Sequence, residues 1–282
     1  MSSLIQITTL QERLQQPGPA PLLLDARFNL MQPEAGEAAW RAGHLPGARH
    51  AHLDRDLSAA KTGRNGRHPL PTPAAFEATA RAWGLHAGQP VVVYDDHGGM
   101  FAARLWWLLR WLGHDAVQVL DGGYSAWVAA GGQVDTTAPP PAAHGTWTAQ
   151  PRDGWLRTAD EVLQGVQGQR TQCLVDARAP DRFRGENETL DPVGGHIPGA
   201  RNRFFQLNLV DGRFKPAEAL RAEWQALLGD TALDTVVHQC GSGVTACHNL
   251  LALDIAGFAP TALYAGSWSE WCADPARPVA QG

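Results

Sequence analysis

One segment of the chain has the composition of a reactive site: Cys240-Gly241-Ser242-Gly243-Val244-Thr245-Ala246, which follows a predicted strand at 235–238 and precedes a helical pattern at 247–256. Two glycines within four residues let the backbone curl tightly enough for several amide N–H groups to converge on one point, and the following helix directs its positive end there. A cysteine at the centre of such a curl is expected to be largely thiolate, which makes it a nucleophile and a holder of an extra anionic atom. The residues alone leave a second reading open, in which Cys240 is a buried thiol at a strand end and the glycines only turn the chain. Cys173, Cys247 and Cys272 make no Cys-x-x-Cys pair, so neither a zinc site nor a disulfide framework is expected. Cys247 lies about two helical turns beyond Cys240, or ~10 Å, which is out of disulfide reach.

The elements that must position this loop are written twice. Leu23-Leu24-Asp25-Ala26-Arg27 matches Leu174-Val175-Asp176-Ala177-Arg178 at an offset of 151. Gly43-His44-Leu45-Pro46-Gly47-Ala48 matches Gly195-His196-Ile197-Pro198-Gly199-Ala200 at 152, and Thr9-Leu10-Gln11-Glu12 matches Thr158-Ala159-Asp160-Glu161 at 149. Each Thr-x-x-Glu reads as a capping box at a helix start. An offset of 144 aligns Val92-Val93-Tyr94-Asp95-Asp96 with Val236-Val237-His238-Gln239-Cys240, and Gly122-Gly123-Tyr124-Ser125-Ala126-Trp127 with Gly266-Ser267-Trp268-Ser269-Glu270-Trp271. It places Asp96 opposite Cys240. A single repeat of this length is a duplicated domain rather than a solenoid.

Each copy alternates short apolar runs with helical patterns, the order of an α/β domain with a mostly parallel sheet flanked by helices. Residues 22–24 and 91–94 read as strands, and 73–83 and 102–112 as helices, with Trp106, Trp107 and Trp111 at core spacing. Met100 and Phe101 fit either ordinary packing or a cleft wall. A proline-rich run ending in Pro139-Pro140-Pro141 marks the boundary, giving a first domain at 1–138, a linker at 139–154 and a second domain at 155–282.

The 282 residues, 44% hydrophobic and 18% charged, suit two globular domains and exclude a disordered chain. The net charge of -5, with only two lysines and arginines scattered along the chain, gives no footprint for nucleic acid. With no secretory signal and no apolar span long enough for a membrane, the chain is expected to be soluble and cytoplasmic.

On the Asp-Ala-Arg and Gly-His-[Leu/Ile]-Pro-Gly-Ala motifs of both halves, on Leu120-Asp121-Gly122-Gly123-Tyr124-Ser125-Ala126-Trp127 and on the Cys240 loop, the sequence resembles the tandem-domain rhodanese family of sulfurtransferases over essentially its whole length. The resemblance implies two rhodanese-like domains, the first non-catalytic with Asp96 at the cysteine position and the second catalytic through Cys240. It implies a persulfide on Cys240, formed from a small anionic donor and passed to cyanide, a small thiol or a thioredoxin. No metal or organic cofactor is implied, and the amides of Gly241, Gly243, Val244 and Thr245 are expected to hold the donor and the anionic sulfur.

The loop looks like that of the 3-mercaptopyruvate sulfurtransferases, where Ser242 would share a triad with a first-domain histidine and an acid. The match for the histidine is His44, although its recurrence as His196 also fits a structural turn; Asp25 and Glu37 are the candidates for the acid. Arg182 matches the arginine that binds the anionic donor, whereas Arg178 recurs as Arg27 and reads as structural. A second donor arginine is expected at 191, and the chain has Asp191 there, which favours thiosulfate or another donor. Three readings compete with the mercaptopyruvate enzyme: a thiosulfate:cyanide sulfurtransferase, a persulfide carrier for a protein partner, and a phosphatase, which would need arginine where Ala246 stands.

Overall fold

A computed structural model describes residues 2–18 and 20–282. The chain forms two compact units, one comprising residues up to Ala59 with Pro71–Arg152 and Asp211–Phe214, the other Ala60–Leu70, Asp153–Val210 and Lys215–Gly282.

In unit one, five parallel strands lie in the order Leu4–Ile5, Val117–Leu120, Val91–Tyr94, Leu22–Asp25, Arg49–His50. The runs Leu22–Asp25 and Val91–Tyr94 are buried at every position, as parallel strands covered on both faces must be. Helix Pro73–Ala82 starts where the Thr72 hydroxyl accepts from Ala75 N, and Ala102–Trp111 is buried along nearly its whole length, including all three tryptophans. Phe101 is also core, 2% exposed and edge-on to Phe28. Residues 139–152 form an extended strap on this unit, with Gly145 N donating to Arg81 O, Trp147 N to Leu85 O and Gln150 N to Leu112 O.

In unit two, four parallel strands run in the order Ala262–Leu263, Val236–Gln239, Cys173–Asp176, Arg201–Asn202. Leu174, Val237, Ile197, Tyr264, Trp268 and Trp271 fill one side of the sheet. Thr158 and Glu161 form the expected capping box, but Thr9 does not. Its helix, Ile7–Gln15, is capped three residues earlier at Gln6, which leaves Thr9 inside the first turn. Among the described residues no helix is long and apolar enough to cross a membrane.

Strand register corrects one pairing between the copies. Asp25 is paired with Tyr94, and its copy Asp176 is paired with Gln239. Tyr94 therefore corresponds to Gln239, and the residue opposite Cys240 is Asp95, not Asp96. The offset of 144 holds at the helix ends, where Gly113 and Gly257 close equivalent turns. In the strands the offset is 145, because the first loop carries one residue more than the second, and no gap in the sequence marks it.

Candidate active site

Strand Val236–Gln239 delivers Cys240 to the carboxyl edge of its sheet, and helix Thr245–Ile255 carries the chain away. Crevices at this edge are where open parallel sheets bind ligands. Gly243 makes the turn with φ +76°, and a Cβ there would fall 2.3 Å from Ala265 O, so only glycine fits. The loop is pinned from the other side: Trp268 N donates to Cys240 O and Ser269 N to Gly241 O, both at 2.9 Å. Cys240 N donates to Ser267 Oγ at 3.1 Å, and that hydroxyl donates to Tyr264 O at 2.9 Å.

Ser267 holds this position in the left-handed region, φ 55°, a strained conformation for a serine. Its copy is Gly123, φ 64°, where an added Cβ would lie 2.2 Å from Asp95 O. Sequence reasoning passed over Ser267; its signal is a serine where the other copy needs glycine.

The first-unit loop shows what this turn can hold. The Asp95 carboxylate accepts four backbone N–H bonds, from His97 and Gly99 on Oδ1 and from Phe101 and Ala102 on Oδ2, at 2.7–2.9 Å. Asp96 instead accepts from the Ser125 amide and hydroxyl. The strand-to-helix turn of this fold is thus an anion cradle in the copy that carries an acid.

Two residues beyond Cys240, Ser242 Oγ lies 2.8 Å from a histidine Nδ1, and that histidine is His68. Ser242 and His68 are 7% and 4% exposed. His44, the sequence candidate, is committed elsewhere: Nδ1 lies 2.7 Å from Trp40 O, the ring stacks on Trp40, its backbone bridges Asp135, and it is wholly buried. The copy His196 repeats this, with Nδ1 2.9 Å from Phe183 O, stacking on Phe183 and a bridge to Ala280. Gly-His-x-Pro-Gly is therefore a structural turn in both units.

Neither candidate acid is available to a catalytic histidine. Asp25 is locked to Arg27, which also donates to Gly43 O. Glu37 pairs with Arg41 and Arg55, whose hydrogen bonds pull its pKa down to about 2. Arg178 repeats the Arg27 arrangement on Asp176 and Gly195 O, with its guanidinium over the Trp268 ring, which fits a structural role.

Arg182 reaches the loop. A Cβ on Gly241 would lie 3.5 Å from Arg182 Nη2 and 2.8 Å from Arg67 Nη2, so two guanidiniums stand over the residue after the cysteine. Glu188 holds Arg182 through Nε and Nη2. Burial pushes the Glu188 carboxyl up, but the Leu190 amide and Arg182 outweigh it and leave it below its ordinary value. Asp191 pairs with Arg67 and lies 3.5 Å from Arg182. Burial nevertheless holds the Asp191 carboxyl above its ordinary value.

The remaining thiols differ in their surroundings. Cys247 is buried with Sγ 3.3 Å from Gly243 O, and burial raises Cys173 and, with Asp191, pushes Cys272 up to about 11. Among the described residues no cluster of His, Cys, Asp and Glu is arranged to hold a metal.

The rhodanese-like domain family matches residues 6–130 and 158–274. The chain is similar to a probable 3-mercaptopyruvate sulfurtransferase of Pseudomonas aeruginosa, 50% identical with all of both chains covered. It is also similar to the putative thiosulfate sulfurtransferase SseB of Mycobacterium tuberculosis, 41% identical over 95% of this chain and 93% of the relative. Among solved structures, the 3-mercaptopyruvate sulfotransferase SseA of Escherichia coli superposes with a TM-score of 0.81 at 28% identity, over 95% of this chain and 99% of that one.

Proposed function

The chain belongs to the rhodanese family and is a sulfurtransferase, and from that premise we propose that Cys240 moves sulfur from 3-mercaptopyruvate to a thiol, thioredoxin or cyanide acceptor. The catalytic cysteine lies in the second domain, 155–282, and the first carries Asp95 at that position while its segment 60–70 supplies residues to the site. Four free thiols suit a reducing compartment, and we place the reaction in the cytoplasm.

The Cys240 thiolate attacks the donor's sulfur. An S–S bond forms, the donor's C–S bond breaks, and the electron pair passes to carbon as an enolate, which takes up the proton released from the donor thiol and becomes pyruvate. The acceptor then attacks the outer sulfur, and the S–S electrons return to Cys240 as thiolate. Gly241, Gly243, Val244 and Thr245 line the anionic sulfur with amides, as the Asp95 loop lines its carboxylate. Arg182 binds the donor carboxylate.

The observation that carries this reading over thiosulfate is the Ser242–His68 pair at 2.8 Å. A carbon leaving group needs a proton and a donor on its carbonyl oxygen, which a serine backed by histidine supplies, whereas sulfite leaves thiosulfate as a stable anion. The relative that is 50% identical supports the same donor. Ala246 in place of an arginine leaves the loop without a phosphatase's grip on phosphate.

Side-by-side kinetics with saturating acceptor test the proposal. The expected kcat/KM favours 3-mercaptopyruvate over thiosulfate by about 10-fold or more, and Ser242→Ala or His68→Gln lowers only the mercaptopyruvate rate, by about 10²-fold. A preference for thiosulfate, or equal losses on both donors, would overturn the reading.

A further inference from the structure

Resting on that reading, we propose that Arg67 is the second guanidinium of the donor-binding clamp, seated by Asp191, so that the charge missing at position 191 is supplied from a different segment of the chain.

An aspartate at 191 would repel a carboxylate donor only if it faced that donor. It does not: the Asp191 side chain is 3% exposed and is covered by Arg67, whose Nη1 bonds Oδ1, with Arg182 Nη2 3.5 Å from Oδ2. Glu188, also 3% exposed, stands behind Arg182 in the same way. The two acids are interior, and the parts of the cluster that reach the surface are the guanidiniums, with Arg67 27% and Arg182 20% exposed. Both converge on Gly241, next to the nucleophile, with Arg67 Nη2 and both Nη atoms of Arg182 within 3.7 Å of where a side chain would begin. That glycine leaves room for the forks, and two forks on one carboxylate can fill more of its lone pairs than the two parallel bonds of a single arginine.

The backbone of residue 67 is fixed for this task. Arg67 N donates to Ser269 Oγ, and Gly66, φ +83°, packs so closely that a Cβ would lie 2.8 Å from Gly266 O. The next residue, His68, is the partner of Ser242. One tripeptide, Gly66-Arg67-His68, therefore brings both an anion-binding fork and the proton-handling ring to the cysteine loop. Arg67 would touch the donor, and Asp191 acts through Arg67 as a positioning residue.

The test compares 3-mercaptopyruvate with its methyl ester, which keeps the thiol and ketone but loses the charge, in wild type and in Arg67→Ala, Arg67→Lys, Asp191→Asn and the exchanged pair Arg67→Asp/Asp191→Arg. Arg67→Ala is expected to raise KM for the acid by about 10- to 100-fold, in line with loss of a charge-assisted pair, while the ester's kcat/KM stays within about twofold. Lysine, a charge without the fork, recovers part of the loss; Asp191→Asn raises KM for the acid alone; the exchanged pair recovers most of the acid's rate. Equal losses on acid and ester in Arg67→Ala, or none on either, would overturn the assignment of Arg67. A wild type that forms no Cys240 persulfide from acid or ester overturns the sulfur-transfer reading itself, an outcome separate from the first because it is read before any variant is made.

Discussion

The two strand-to-helix turns that follow Val91–Tyr94 and Val236–Gln239 are copies of one structure put to opposite uses. In unit one the cradle holds a carboxylate of its own chain, Asp95, on four amides, and the turn is closed business. In unit two the same register position carries Cys240, whose side chain ends one atom earlier, in sulfur. A persulfide on Cys240 has the topology of the aspartate side chain, an anionic atom one bond beyond the atom attached to Cβ. The difference teaches that one turn of the fold can hold a carboxylate of its own chain, and on the proposed reaction the copy that carries cysteine loads and unloads an anionic sulfur instead.

Making unit two resemble unit one should have the largest effect. Cys240→Asp is expected to lower sulfur transfer by more than about 10³-fold, as for loss of a covalent nucleophile, while the Tm stays near wild type because the carboxylate can take the loop amides. A variant that still turns over, measured with 3-mercaptopyruvate and cyanide, would break the comparison at its root.

Emptying the first cradle should cost stability rather than chemistry. Asp95→Ala leaves the amides of His97, Gly99, Phe101 and Ala102 unpaired and is expected to destabilise the protein by roughly 2–4 kcal/mol in denaturant unfolding. Asp96→Ala, which loses only the exposed Ser125 contacts, should cost no more than about 1 kcal/mol. If Asp96 proved the costlier of the two, the register assignment would be wrong.

A third contrast lies in the strands themselves. Opposite Val175, unit two carries His238, where unit one has Val93 opposite Leu24. His238 is wholly buried with neither ring nitrogen hydrogen-bonded, and burial holds its pKa down to about 3. The unfolded chain takes up this proton near pH 6.5, so the neutral ring's contribution is intact above that pH and is lost as pH falls towards 3. Its share of the slope approaches about 1.4 kcal/mol per pH unit in that window, and His238→Val should remove it from unfolding curves recorded between pH 4 and 7. An unchanged slope would show that other groups set the acid sensitivity.

The smallest expected effect is at the hinge of the cysteine loop. Ser267→Gly restores the residue of the first copy, relieving the left-handed strain while deleting the acceptor for Cys240 N. We expect a change in stability of no more than about 1 kcal/mol, because the two terms oppose each other, with a several-fold loss in kcat. A loss in stability alone, with kcat intact, would mean that Ser267 only shapes the turn.

Much of this comparison could be read from the sequence, and its errors have physical causes. The reactive loop was legible because glycine spacing, strand and helix patterns are local properties. The aspartate opposite Cys240 was misplaced by one residue because loops tolerate single insertions and strand register, which fixes the pairing, is a non-local property. His44 stands out because it sits in a recognisable motif, whereas His68 lies among residues 60–70, which form no helix or strand and carry no motif. The pairing of His68 with Ser242 spans 174 positions in the chain. A signal existed: the repeat offset falls from 152 at Gly43 to 145 at Val92, marking a stretch of the first half that is longer than its counterpart in the second. Arg67 and His68 both lie in that stretch. Asp191, read as a gap in the donor site, was one half of an ion pair whose other half lay in that same stretch.

The central claim is that the Cys240 turn receives an anionic sulfur where the Asp95 turn keeps a carboxylate. Intact-mass measurement after brief treatment with 3-mercaptopyruvate tests it most directly, in wild type and in Cys240→Ser, which retains Cys173, Cys247 and Cys272. The account predicts the mass of one added sulfur on wild type, none on the variant, and removal of the adduct by cyanide. No adduct on wild type, or the same adduct on both proteins, would contradict it.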